Sequence, residues 1–242
     1  GAEAGPDRGA ETPTTRVLYA SDLHLGAWGA ERALRELLRI TIRERPDVVI
    51  IATGGLPHTE VLESGNDLVV STWDILSGDV RPGRDVLLYD DAGDHPALQA
   101  AEVLAAGGAR VEIMTPDRSF APEVMAMNLV PYMRSLQKHD VTFTVTWPLA
   151  SVQRDGEGLL AVVGSDYGGV RRERRVDQVV VNHGTRPLDE LYLELQPLSA
   201  NGGAVDYPAL LAGQPQPVAP AGGFQLFRIG DGKATELEGR SA

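Results

Sequence analysis

The chain has 242 residues, 43% hydrophobic and 23% charged, enough for one large domain or two interleaved smaller ones with cores of their own. Its formal net charge of −12 argues against nucleic acid as a partner, because affinity for a phosphate backbone needs clustered Lys and Arg. There is no cysteine, which excludes disulfides, thiolate zinc sites and Cys-ligated iron–sulfur clusters within these residues; the same absence fits a reducing compartment, and a cytoplasmic location is expected.

In chain order, residues 1–15 hold Gly, Ala, Pro, Thr and charge. They lack the apolar core of a signal peptide and read as a disordered arm. Arg16 to Ala20 reads as a short strand. Just after it, Asp22 and His24 place a carboxylate and an imidazole where both can face one ion. Ala30 to Arg45 is a predicted helix, because Ala33, Leu34, Leu37, Leu38 and Thr41 or Ile42 recur at helical spacing and Pro46 stops it. Val48 to Ala52 is apolar on both faces, as in the middle of a parallel sheet, and runs into the turn Thr53-Gly54-Gly55.

Residues 66–77 read as a link, with a short strand at Asp67 to Val70 and one helical turn at Ser71 to Leu76. After the turn Arg81-Pro82-Gly83 comes a β-α-β unit: strand Val86 to Tyr89, helix Pro96 to Ala106, Gly107-Gly108 to end it, and strand Arg110 to Met114. A right-handed crossover is expected. The turn between strand and helix is Asp90-Asp91-Ala92-Gly93-Asp94-His95. It replaces the G-x-G-x-x-G that brings backbone N–H groups to a pyrophosphate. Carboxylates stand where phosphates would go, so this module is not expected to hold NAD(H) tightly. A structural role is the expectation, with a divalent cation on the aspartates the minor alternative.

Glu123 to His139 reads as a helix and Val141 to Val145 as a strand. Leu159 to Gly164 and Arg174 to Val181 frame a meander, with Arg171-Arg172-Glu173-Arg174-Arg175 as a solvated turn. From Asn182 to Gly223 the chain reads as loop. Phe224 to Ile229 is the last strand, followed by Gly230-Asp231 and a flexible tail over 232–242. His95 and His183 each sit beside a glycine turn, where either can move a proton, though capping or packing is the stronger reading. No G-x-S-x-G elbow is present, and no apolar run reaches the roughly 20 residues of a membrane helix.

Taken together, Ala52-Thr53-Gly54-Gly55-Leu56-Pro57, Tyr89 to His95, Met114-Thr115-Pro116-Asp117-Arg118, Val179 to Thr185 and Phe227-Arg228-Ile229-Gly230-Asp231 carry a resemblance. In that order they resemble the C-terminal nucleotide-binding-type region of NADH:flavin oxidoreductases of the trimethylamine dehydrogenase and dienoyl-CoA reductase type, most of all the N-methylproline demethylase branch. The resemblance implies an α/β, three-layer Rossmann-like fold with a parallel sheet. In it a second, NAD-binding-like domain (84–182) is inserted in a partial FAD/ADP-binding-like one (16–83 and 183–231). It makes Thr53, Gly54, Gly55, Gly230 and Asp231 the cofactor-binding residues, for ADP or FAD, with Asp231 accepting from a sugar or ribityl hydroxyl. It supplies no catalytic or metal residue.

Members of that family carry FMN and an iron–sulfur cluster in an N-terminal barrel, which these residues do not contain. The glycine fingerprint that opens the first dinucleotide domain and the helix after its Gly-Asp turn are also missing, so the chain reads as a fragment, a separate subunit or a mosaic. The implied function is the accessory nucleotide-binding-type portion of an FMN-dependent oxidoreductase acting on amines or N-methyl amino acids, by oxidative N-demethylation or a related hydride transfer. The expected partner is a barrel-bearing flavoprotein chain or a second copy, with neither nucleic acid nor membrane. Residues 17–26 alone are similar to the opening of a calcineurin-like metallophosphoesterase, which would make Asp22 and His24 metal ligands. Gly55 then stands where that family needs Asp, and no Gly-Asn-His or Gly-His-x-His follows. A non-catalytic scaffold that binds no nucleotide is the third reading.

Overall fold

The computed structural model of the chain describes residues 15–21, 30–165, 167–216 and 223–230. The first half of the chain runs β1 (Val17–Ser21), α1 (Ala30–Glu44), β2 (Val48–Ala52), β3 (Gly55–Pro57), β4 (Val70–Ser71), α2 (Thr72–Ser77), β5 (Asp85–Asp90), α3 (His95–Ala106) and β6 (Arg110–Met114). It continues through α4 (Ala126–Leu136), β7 (Val141–Thr144), β8 (Leu149–Asp155), β9 (Gly158–Gly164) and β10 (Arg171–Val176). The last elements are β11 (Gln178–Asn182), β12 (Thr185–Pro187), α5 (Glu190–Leu195), α6 (Tyr207–Leu211) and β13 (Gln225–Arg228). Two compact units divide the chain at Leu56/Pro57 and at Arg186/Pro187. β3 and β12 form a two-stranded sheet.

The middle unit, residues 57–186, is built on a five-stranded parallel sheet in the order β4-β11-β5-β6-β7. Its central strands β5 and β11 are apolar on both faces because both faces are covered. Val86, Leu88, Val111, Ile113 and Val180 meet Ile75 of α2, Leu98 and Leu104 of α3 and Leu136 of α4. The alternate residues Leu87, Tyr89, Met114, Val179 and Val181 meet Val152, Ala161 and Val163 of the antiparallel sheet β10-β9-β8. The three layers are therefore helices, parallel sheet and antiparallel sheet.

Local sequence explains the elements. Helix α2 starts from a capping box, in which the Ser71 hydroxyl accepts the Asp74 N–H while the Asp74 carboxylate accepts the Ser71 N–H. Helix α3 has Pro in its first turn, and Gly108 turns the chain at φ +90°.

Several elements differ from the sequence reading. The middle unit begins at 57 rather than at about 84, so it takes in β4, which pairs with β11, and α2. The arginine run expected as a turn is the strand β10, where Arg174 donates to Glu112 at 2.9 Å, Arg175 to Asp155 at 2.8 Å, and Arg172 lies 4.5 Å over the Trp147 ring. The single strand expected over Arg174 to Val181 breaks at Asp177, whose carboxylate accepts the N–H groups of Arg84 and Asp85, and β11 enters the parallel sheet instead. Strand β8 was not foreseen. The helix expected over Glu123 to His139 shortens to α4, and the stretch expected as loop from Asn182 contains β12, α5 and α6.

The outer unit holds the parallel sheet β1-β2-β13, with β2 in the centre as its two apolar faces require. Val49, Ile51, Ala20 and Leu226 pack with Leu37 and Leu38 of α1 and with Leu191, Tyr192 and Leu195 of α5. Among the described residues, no helix is long and apolar enough to cross a membrane.

Candidate functional site

In the outer unit, β2 and β13 are parallel neighbours, with Arg228 opposite Ile51. Their C-terminal turns therefore share one edge of the sheet, where open α/β folds bind ligands. Thr53-Gly54-Gly55 and Gly230, expected as one site, are brought to that edge together. Gly54 has φ +74° and Gly230 φ +65°, and among the described residues a Cβ built on either would meet no atom within 4 Å. Both turns thus present bare backbone to open space, the condition for a ribose or phosphate to approach closely. Gly55 begins β3.

Thr53 is buried, and its hydroxyl donates to the Leu188 carbonyl at 2.5 Å, while the Leu188 N–H donates to the Gly54 carbonyl at 3.0 Å. Its proton is thus committed inside the chain. Beside the edge, Arg228 pairs with Asp189 at 3.1 Å and covers the Tyr192 ring at 4.6 Å. The sequence reading did not single out these three residues. Asp231, Asp22 and His24 lie outside the described residues.

In the middle unit the strand order reverses between β5 and β11, which makes that pair of strand ends the topological switch point. A pyrophosphate would sit there on the turn before α3. Three of the turn's own amides are already spent. The N–H groups of Asp91 and Ala92 donate to the Asn182 carbonyl at 2.9 and 3.1 Å, and the Gly93 N–H donates to the Asp90 carboxylate at 2.9 Å. The Asn182 side-chain amide donates to both Asp90, at 2.9 Å, and Asp94, at 2.7 Å. Asp94 occupies the N-cap of α3 without a capping bond. Over the turn lies the segment after β6, with the Glu123 N–H on the Gly93 carbonyl and Pro122 so close that a Cβ on Gly93 would come within 2.6 Å of its ring.

Burial pushes the Asp90 carboxyl up to about 6, with the charges of Asp94 and Asp91 adding to it and the hydrogen bonds from Gly93 and Asn182 opposing. His183 has a buried ring with Nδ1 3.2 Å from the Asp91 carboxylate, and its Nε2 is buried without a hydrogen-bond partner among the described residues. His95 Nδ1 lies 3.1 Å from the Tyr132 hydroxyl. The two rings also pack tilted against aromatic neighbours, His183 at 5.5 Å from Tyr89 and His95 at 5.8 Å from Tyr132.

The expected ligands fare differently at the two places. Bare glycine backbone at β2 and β13 fits an ADP-type group. At the switch point a pyrophosphate does not fit, since carboxylates and spent amides are what it would meet. With no cysteine, nothing in these residues fits an iron–sulfur cluster. Among the described residues, no group of three or more His, Cys, Asp and Glu is placed to hold a metal ion.

No family model matches the sequence. A probable N-methylproline demethylase of Rhizobium meliloti (strain 1021) is 64% identical over 213 residues, 87% of this chain and 30% of that protein. An N,N-dimethylglycine/sarcosine dehydrogenase of Chromohalobacter salexigens is 43% identical over 223 residues, 87% of this chain and 31% of that one. The chain thus spans under a third of the length of these curated relatives. Among solved structures, histamine dehydrogenase from Rhizobium sp. 4-9 superposes with a TM-score of 0.63 at 15% identity, covering 95% of this chain and 43% of that chain, which is a likeness of fold.

Proposed function

We propose that these residues are the nucleotide-binding-type portion of a flavin-dependent oxidoreductase acting on amines or N-methyl amino acids, by oxidative N-demethylation or a related hydride transfer. The observation that carries this reading is the 64% identity to a probable N-methylproline demethylase over 87% of the chain. The N,N-dimethylglycine/sarcosine dehydrogenase supports the same substrate class, a secondary or tertiary amine beside a carboxylate.

In this reading the outer unit holds ADP or FAD. The backbone of Gly54, Gly55 and Gly230 lets the ligand approach, and Asp231 accepts from a sugar hydroxyl. Thr53 orders the turn through its bond to Leu188. The middle unit is an NAD-binding-like module with a structural role. FMN, which supplies hydride acceptance when bound, and the iron–sulfur cluster belong outside these residues. The barrel that holds them is a partner chain or another part of the protein, and self-association of this portion is the alternative contact.

Isothermal titration of the purified chain with ADP, FAD and NADH tests the reading. Micromolar binding of ADP or FAD without NADH supports it. Binding of none of the three overturns the nucleotide site and leaves a scaffold.

A further inference from the structure

We propose that Asp90, Asp94 and Asn182 form a proton-controlled latch that ties the ends of β5 and β11 to the start of α3, shut while Asp90 carries a proton and slack once it is ionised. The geometry converges on one side chain. The Asn182 amide nitrogen has two hydrogens, and both are committed, one to Asp90 and one to Asp94. The backbone carbonyl of the same residue takes the N–H groups of Asp91 and Ala92. Asn182 thus fixes the whole turn, from a position 92 residues from Asp90 in the sequence.

Two carboxyl oxygens on one nitrogen lie within about 6 Å of each other, a range in which one charge suppresses a second. A single proton removes that repulsion. Asp90 is the group to hold it, because it is 2% exposed with the charges of Asp94 and Asp91 beside it, which together outweigh the hydrogen bonds it accepts from Gly93 and Asn182. Its value of about 6 agrees with that assignment. Among the described residues, these groups face the pair. On the turn itself stands Asp91, paired with the buried His183 at the end of β11. On α3 stands His95, held by Tyr132 of α4. The segment after β6 contributes the Glu123 N–H to Gly93. Asp91 repels the ionised latch, and neither imidazole touches Asp90.

Loss of the proton leaves two buried-edge carboxylates on one amide donor. The expected result is local opening of residues 91–95 with the sheet intact, since the core strands depend on other contacts. The latch does not depend on the oxidoreductase reading.

Hydrogen exchange of the whole chain, corrected for intrinsic rates and followed across pH 5 to 7, tests it. Protection of the Asp91, Ala92 and Gly93 amides should fall about tenfold or more over that range and stay below that of the Val111 and Ile113 amides of β6, so that the turn opens ahead of the sheet. In Asp90→Asn, protection should stay level. In Asp94→Asn, the midpoint should move to lower pH, because a repelling charge is gone. Level protection in the native chain overturns the proposal. So does an Asp90→Asn chain that follows the native profile, or an unmoved midpoint in Asp94→Asn.

Discussion

Replacing Thr53 with Val separates a structural hydroxyl from a ligand contact. Val keeps the shape of Thr and removes one O–H. That O–H now donates to the Leu188 carbonyl, across 135 residues of sequence, with Thr53 at 6% exposure and Leu188 also at 6%. Losing such a bond costs about 1 kcal/mol, and leaving a buried carbonyl without its donor raises this to about 2–3 kcal/mol. For a chain of this size each kcal/mol moves the midpoint by about 2–4 °C, so Thr53→Val should melt about 4–12 °C lower. The reciprocal bond from the Leu188 N–H to Gly54 remains, which argues for the lower half of that range. Calorimetry gives the midpoint, read on the transition of the outer unit if the two units melt separately. Titration with ADP gives the second number. If the hydroxyl only orders the turn, the affinity of the folded variant should change by less than about threefold, under 1 kcal/mol. An unchanged midpoint with a tenfold loss of ADP affinity would refute the reasoning and make Thr53 a direct contact.

The carboxyl of Asp90 also leaves a mark on global stability. Its folded value of about 6 lies above the ordinary 3.8, so between those values the native state keeps a proton that the unfolded chain releases. Stability is therefore highest below about pH 4, falls as pH rises to about 6 and is level above, by up to about 3 kcal/mol in total. Asp90→Asn should abolish that slope and stabilise the protein at pH 7, as urea unfolding at pH 4.5 and 7 would register; an unchanged slope would place the proton elsewhere. Gly93→Ala should cost about 2–3 kcal/mol, because a left-handed φ of +72° is combined with a clash on Pro122, whereas Gly54→Ala, at φ +74° in open space, should cost only about 1–2 kcal/mol. Comparing their midpoints checks the difference. Arg174→Met leaves Glu112, 19% exposed, with the Thr144 hydroxyl as its one side-chain donor among the described residues, and should cost about 1–3 kcal/mol in urea unfolding.

The elements that depend on their own residues were legible in the sequence. β5-α3-β6 stands out because apolar runs, a first-turn Pro and a Gly-Gly stop all agree with one another. β2 shows itself as central by being apolar on both faces. β8, with Ser151, Gln153, Arg154 and Asp155 among its seven residues, has too little apolar alternation to be seen. β10 is hidden for the opposite reason. Four arginines look like solvent, yet Glu112 and Asp155, remote in sequence, give two of them partners in a strand. β10 and β11 follow each other so closely that only the pairing of Asp177 with the start of β5 tells them apart. Thr53-Gly54-Gly55 and Gly230 are legible as turns because glycine after a strand needs no partner to be conspicuous. The role of Asn182 is not legible, since its two carboxylates come from the other end of the middle unit.

The interleaving of the two units has a consequence for synthesis on the ribosome. Residues 57–186 are continuous, so the five-stranded sheet can close as soon as β11 has emerged. β2 has no such liberty. One of its edges pairs with β13, made about 170 residues later, which at 5–20 residues per second leaves that edge open for about 10–35 s. Val49 and Ile51 are almost wholly covered in the finished protein and exposed in the meantime. The nascent chain thus passes through a stage with a finished middle and an unfinished frame, when a bare apolar strand edge is the feature most open to chaperones or to mispairing.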